Sequence, residues 1–308
     1  MIAFFAKIFG FILNFIYEFV NNYGIAIIIF SVLIKLLMLP ISIKQQKTMK
    51  KTVKMQEKMK EIQLKYKNNP EKLNQETLEL YKNENMSPFS GCFSMIAQLI
   101  LLLAVFYLVR SPLTYMRKIN PDIISKYTKI MQENELSKSN SYPEIELIRQ
   151  IDNIKELNKS ENLEQTEDKT NLEEIKEEEL QELNINMEFF GLNLAQVPTQ
   201  SQDWKGYIIP ILYVLVAVIS TRITNTNPKS PKVEPIENND EKALTKPEDE
   251  FDPTAQMQKN MNFMMPIMYV SIALIAPLGL ALYWLMNSLL MIVEKLVLNK
   301  LLKDEEEN

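Results

Sequence analysis

The residue whose chemistry is most out of place in this chain is Lys35. It is the one charge in an apolar run from Tyr23 to Leu39 that is otherwise interrupted only by Ser31, inside the stretch YGIAIIIFSVLIKLLMLPISI at 23–43. As a helix that stretch covers roughly 30 Å, the thickness of a bilayer's hydrocarbon core. An ammonium near the midplane costs about 2.5 to 3.5 kcal/mol on insertion scales, and less near an end. It persists only with water, a partner or a route to the interface. The chemistry open to Lys35 is therefore electrostatic: it can draw acidic groups into a membrane. A plainer reading fits the same spacing, because Lys35 stands about one turn before Pro40 and its four-carbon stem can snorkel to the nearer headgroups. Gln98 poses the same choice. It lies well inside CFSMIAQLILLLAVFYLV, where it either bonds to a neighbouring helix or faces the same wet cavity as Lys35.

Covalent chemistry has few residues to work with. The 308 residues include no histidine, which excludes His-dependent triads, imidazole metal sites and most proton relays. The single cysteine, Cys92, permits no internal disulfide and no thiolate cluster, and the six glycines are scattered without a phosphate-loop spacing. The chain is expected to be neither an enzyme nor a cofactor binder, and no DNA partner is expected.

The elements that must hold Lys35 and Gln98 follow from how the apolar residues are gathered. The mean hydropathy of -0.12 averages apolar blocks with two long charged insertions, so it hides a polytopic membrane protein. Five spans are expected, at 23–43, 88–110, 206–224, 260–276 and 278–298, the last two being a hairpin split at Pro277 and Gly279. Residues 1–22 precede them. There Lys7, Gly10, Asn14, Glu18 and Asn21 recur at helical spacing, so an amphipathic helix lying in the interface is expected rather than a span or a cleaved signal.

Between the first two spans, 44–87 is strongly basic, with 11 lysines against 6 glutamates from Lys44 to Met86. Positive charge this close to a span marks the cytoplasmic side. Val53, Met59, Ile62 and Tyr66 share one helical face, and Asn69-Pro70 supplies a cap and first position for a second helix. The segment thus reads as a helical hairpin. It is either a solvated appendage or, through Met49, Met55, Met59 and its lysines, a surface for apolar segments, lipid headgroups or ribosomal RNA.

The excursion at 111–205 is acidic. From residue 111 to 206 there are 19 acidic against 11 basic residues, and alternation of topology puts this segment outside the cytoplasm. Asn120-Pro121 with Ile123, Ile124, Tyr127, Ile130 and Met131 predicts a capped helix, and Leu147, Ile151 and Ile154 another. Lys159 to Glu182 is glutamate-rich and suits a solvated helix or disorder. Residues 225–259 form a cytoplasmic linker and 299–308 a cytoplasmic tail, with the N-terminus outside.

Several linked segments resemble the YidC-type membrane protein insertases. They are Met264 to Met268 (MMPIM), Pro277 to Leu280 (PLGL), Leu282-Tyr283-Trp284 and Asn287-Ser288, together with YGIAIII and LPI in the first span, LYKNENMSPFSGC before the second, and FFGLNL at 189–194. The resemblance covers every expected span and the first loop, leaving the two acidic insertions outside it. It implies an all-α bundle of five spans around a hydrophilic groove, open to the cytoplasm and lipid but closed to the outside. The family's groove charge, usually arginine, falls on Lys35, which keeps the charge without the guanidinium fork. Its groove glutamine falls on Gln98, and an aromatic substrate-contacting position on Trp284. Ser94 and Ile100 stand where family members often have prolines.

The implied activity is insertion of nascent membrane proteins into the bacterial cytoplasmic membrane, with assistance to their folding. The implied partners are those clients, membrane lipids, and in some settings the ribosome and a Sec translocon, with the protein acting as a monomer. Two other readings stay open. One is a small-solute transporter, against which the lack of an internal repeat speaks; the other is a non-translocating scaffold.

Overall fold

A computed structural model describes residues 2–66, 69–84, 90–136, 141–163, 175–201, 203–225, 264 and 268–307. Two helices joined by an asparagine elbow open the chain. Helix α1 (Ile2–Val20) ends where Asn21 turns left-handed at φ 46°, a conformation that asparagine tolerates better than most residues. Asn22 then caps α2 (Tyr23–Lys65), its Oδ1 accepting from the Ile25 amide at 3.0 Å. A third asparagine, Asn186, locks the elbow. Its side-chain amide donates to the Asn21 carbonyl at 2.9 Å, and its backbone amide donates to the Tyr17 hydroxyl oxygen at 2.8 Å.

Helix α2 passes without a break through Pro40 from the apolar segment into the basic one. Helix α3 (Pro70–Asn83) folds back on it, capped by Asn69, whose side chain accepts from the Lys72 amide at 3.1 Å. The two are held by Lys58 and Glu84 at 2.6 Å and by the Tyr66 hydroxyl on Glu76 at 3.1 Å. No residue of α3 is buried, so this hairpin is thin and wet on most sides.

Helix α4 (Ser90–Arg110) leads through a π-helical turn, Leu113–Arg117, into α5 (Pro121–Glu133), α6 (Pro143–Leu163) and α7 (Glu177–Leu183). These three bury Tyr127, Ile130 and Met131, then Leu147, Ile151 and Ile154, then Leu180 and Leu183. The acidic insertion therefore has a packed core. Of the stretch expected as solvated, 164–174 lies outside the described residues, and α7 turns two leucines inward. A hairpin of two short strands, β1 (Glu188–Phe189) and β2 (Leu192–Asn193), precedes α8 (Ile208–Asn225), α9 (268–275) and α10 (Leu278–Glu307).

Among the described residues, four helices are long and apolar enough to cross a membrane: Ile2–Val20, Tyr23–Thr48, Trp204–Ile223 and Leu278–Leu301. The expected spans at 88–110 and 260–276 lie partly outside the described residues; within the former, Leu99–Arg110 is an apolar stretch of α4. Exposed Ile, Leu and Val side chains, such as Leu36, Leu37, Ile211, Leu215, Val293 and Leu296, coat the outer faces of α2, α8 and α10. That is the surface a hydrocarbon solvent calls for.

Helix α1 meets the length and composition of a span as well. It buries Ala6, Phe9, Gly10, Leu13 and Tyr17 against α2, α4 and the π turn, while Phe4, Ile8, Phe11, Phe15 and Phe19 face outward. Of the stripe expected to be polar, Lys7, Glu18 and Asn21 are exposed. Gly10 is buried, and Asn14 and Glu18 turn to Arg117 at 3.5 and 4.0 Å.

Candidate functional site between two parallel apolar helices

Helices α2 and α10 run side by side in the same direction, and three points along them fix the register. At their starts, a Cβ placed on Gly279 would lie 3.4 Å from the Tyr23 ring. At the far ends of their apolar parts, Tyr23–Thr48 and Leu278–Leu301, Gln46 Nε2 donates to Asn299 Oδ1 at 2.7 Å. Between these, Lys35 Nζ sits 2.6 Å from Glu294 Oε2.

The segment 186–196 ties the two starts together. The Asn186 carbonyl accepts from the Tyr23 amide at 3.0 Å, Leu194 from the Gly279 amide at 2.9 Å, and Gln196 from the Leu278 amide at 2.9 Å. A helix start leaves such amides without intrahelical acceptors. The hairpin tip can turn this tightly because Phe190 and Gly191 both take positive φ, 49° and 75°, as two-residue hairpin turns require. Phe189 is then laid against Gly24, whose missing side chain makes the room.

Below this cover, Ser31, Ile34, Lys35, Met38 and Ser42 of α2, Leu101 of α4, and Tyr283 and Asn287 of α10 line a pocket of about 30 Å³. A single water centre needs roughly 10 to 15 Å³, so the pocket has room for water beside the ammonium. Residues 31, 35, 38 and 42 recur at helical spacing, as do 283, 287 and 294, so each helix gives one face to the site. Ser31 returns its hydroxyl to its own helix, donating to the Ile27 carbonyl at 2.7 Å. The side chain of Lys35 is 22 % exposed and that of Glu294 only 11 %. Opposite charges in contact and mostly buried offset part of each other's desolvation cost.

Glu294 is the residue that sequence reasoning missed. The signal was present: a carboxylate inside the run MIVEKLVLNK is as anomalous in a span as Lys35 is. Asn287 and Tyr283 were part of the quoted motifs without a role, and both line the pocket.

Of the three residues the sequence singles out, Lys35 and Trp284 have described side chains. Lys35 is in the pocket. Trp284 is half-buried in an aromatic cluster, 5.8 Å between ring centroids from Tyr213 of α8, which is itself 5.9 Å from Tyr269 of α9. It does not line the pocket of Lys35; its neighbour Tyr283 does. Gln98 belongs to α4, and its side chain lies outside the described residues.

Apolar helices with hydrocarbon side chains outward and a Lys–Glu pair between them define a multi-pass α-helical membrane protein. The chain matches the family described as 60Kd inner membrane protein over residues 15–306, and it belongs to that family. Curated relatives carry the name membrane protein insertase YidC. The protein from Caldanaerobacter subterraneus subsp. tengcongensis is 42% identical over 102 residues, 33% of this chain and 50% of its own length. That of Fusobacterium nucleatum subsp. nucleatum is 37% identical over 120 residues, 37% of this chain and 58% of its own. The chain thus spans about half the length of these relatives.

Proposed function

We propose that this protein inserts nascent membrane proteins into the bacterial inner membrane and helps them fold. The observation that carries the reading is the position of Lys35: a cation near the middle of an apolar helix segment, beside a pocket with room for water, between helices whose starts are tied by 186–196. Membership of the 60Kd inner membrane protein family and the names of the relatives support it.

The mechanism is physical rather than covalent. A client's hydrophilic tail must pass a region of low dielectric, where polar and charged groups lose their hydration. A wet groove reaching part of the way shortens the dry path and lowers that cost. Lys35 attracts acidic groups of the tail into the groove. Gln98, one helical turn from the pocket-lining Leu101, offers an amide to the same tail. The client's apolar segment then slides past Trp284 towards lipid. The basic hairpin at 44–87 makes first contact with client or ribosome on the cytoplasmic side, with the N-terminus outside, the C-terminus inside and the monomer as working unit. A Sec translocon is a partner for some clients and dispensable for others.

The test is insertion of a small single-span client into proteoliposomes containing wild type, Lys35→Ala or Lys35→Arg. Loss with alanine and retention with arginine is the expected result. Equal activity in all three would reduce Lys35 to a snorkelling residue, and no insertion by wild type would favour a transporter or scaffold.

A further inference from the structure

The carboxylate nearest to Lys35 belongs to the protein itself. Glu294 Oε2 stands 2.6 Å from the ammonium, at the position an incoming acidic group would have to take. Its other oxygen, Oε1, is buried and accepts no hydrogen bond among the described residues. A buried ion pair kept for stability alone normally has its remaining lone pairs satisfied by further donors. Here one half of the carboxylate is held by Lys35 and the other half is unsupported. Glu294 also shares its helical face with Tyr283 and Asn287, which line the pocket together with Lys35, so the carboxylate and the pocket meet at the same ammonium.

We infer that Glu294 is a built-in competitor for the client's acidic group. This rests on the insertase reading above and deepens it. In the resting protein Glu294 occupies Lys35 and keeps the cation neutralised inside the bundle. A client carboxylate entering the pocket takes over the ammonium, and Glu294 is displaced from it. The exchange substitutes one carboxylate for another at the ammonium, and the released Glu294 carboxylate is taken up by water in the pocket that Lys35 lines. It also sets a threshold: a tail must carry an acidic group able to compete with a tethered one, and neutral tails gain nothing from Lys35.

The experiment compares two versions of one single-span client in proteoliposomes, one with an aspartate in its translocated tail and one with asparagine there. The readout is the ratio of their insertion rates. Wild type is expected to favour the acidic tail, Lys35→Ala to bring the ratio to one, and Glu294→Gln to raise it about fivefold or more, the lower end of ordinary coupling between two ligands of a site. The double variant should match Lys35→Ala. The exchanged pair Lys35→Glu/Glu294→Lys retains opposite charges at the same positions and should reverse the preference towards a lysine-bearing tail, a result that survives if Glu294→Gln folds poorly. A ratio in Glu294→Gln equal to or below that of wild type, with Lys35→Ala still at one, would overturn the competitor role while leaving the groove intact. A wild-type ratio unaffected by Lys35→Ala would instead overturn the electrostatic groove, and the competitor with it.

Discussion

Gln46 and Asn299 are 253 residues apart in sequence and bonded side chain to side chain at 2.7 Å. Together with Tyr23 near Gly279 and Lys35 on Glu294, this contact makes α2 and α10 parallel neighbours over about half of α2. Parallel helices that pair the same ends must both enter the bilayer from the same side. Cysteines introduced by Gln46→Cys and Asn299→Cys, in a Cys92→Ser background, should therefore cross-link within one chain on oxidation. The readout is a mobility change reversed by reductant. Pairing Gln46→Cys with Lys300→Cys, turned about 100° around α10, should cross-link far less, and equal yields from the two pairs would refute the register.

The Lys35–Glu294 pair should also be visible in stability. Removing one partner of a buried pair strands the other charge, whereas removing both relieves it. Lys35→Met and Glu294→Gln should each lower the thermal stability of the detergent-solubilised protein by more than the double variant's loss would apportion to them. A coupling of about 0.5 to 3 kcal/mol is expected from a double-mutant cycle for groups in direct contact. Simple additivity would mean that the two charges ignore each other.

How far the sequence revealed this arrangement depended on what each residue's neighbours in sequence could signal. Lys35 stood out because every residue around it is apolar. Asn69-Pro70 and Asn120-Pro121 marked helix starts because capping is local, and both asparagines cap as their type predicts. Glu294 falls inside the expected span 278–298, but near its end and next to Lys295, where a neighbouring charge and a short route to the interface mask the anomaly. Its partner is 259 positions away, beyond the reach of any periodicity. The asparagine elbow was invisible for a similar reason, since Asn186 completes it from the far side of the acidic insertion. The resemblance puts Trp284 at a substrate-contacting position, and helix rotation, which no local pattern shows, turns Trp284 to Tyr213 and its neighbour Tyr283 to the pocket.

Gly10 is fixed by a close approach. A Cβ there would run into the carbonyl group of Tyr115 in the π turn, and backbone cannot swing aside as a side chain can. Gly10→Ala should push α1 off the turn, at a cost of about 1 to 3 kcal/mol as for other overpacked sites. Limited proteolysis at the junction of α1 and α2 should accelerate accordingly. Gly24→Ala is the informative comparison, because its new methyl would meet the Phe189 ring, a side chain beside an exposed turn. A smaller loss at Gly24 than at Gly10 is expected; the reverse order would show that the hairpin is the more rigid neighbour.

Outside the spans, two glutamates of the acidic insertion should respond to pH in opposite senses. Glu144, near the start of α6, accepts from the Thr114 amide at 3.0 Å and its hydroxyl at 2.6 Å. Burial nevertheless raises its pKa above the ordinary 4.5, outweighing the hydrogen bonds from Thr114 that pull it down. A raised carboxyl binds its proton more tightly in the folded state, so its stabilising contribution is complete below 4.5 and is lost as pH rises through the folded value. Glu179 is the converse. The hydrogen bond from Lys126 at 2.8 Å holds its pKa below 4.5, so its contribution is present above that value and lost on further acidification. Thermal unfolding of the whole protein in detergent from pH 3.5 to pH 8, titration limits set by roughly one unit either side of ordinary carboxylates and neutrality, separates the two. The advantage of wild type over Glu144→Gln should shrink steadily as pH rises above 4.5, while its advantage over Lys126→Met should shrink as pH falls below it. A Glu144→Gln difference that grows with pH would mean that the hydrogen bonds from Thr114, rather than burial, govern this carboxyl.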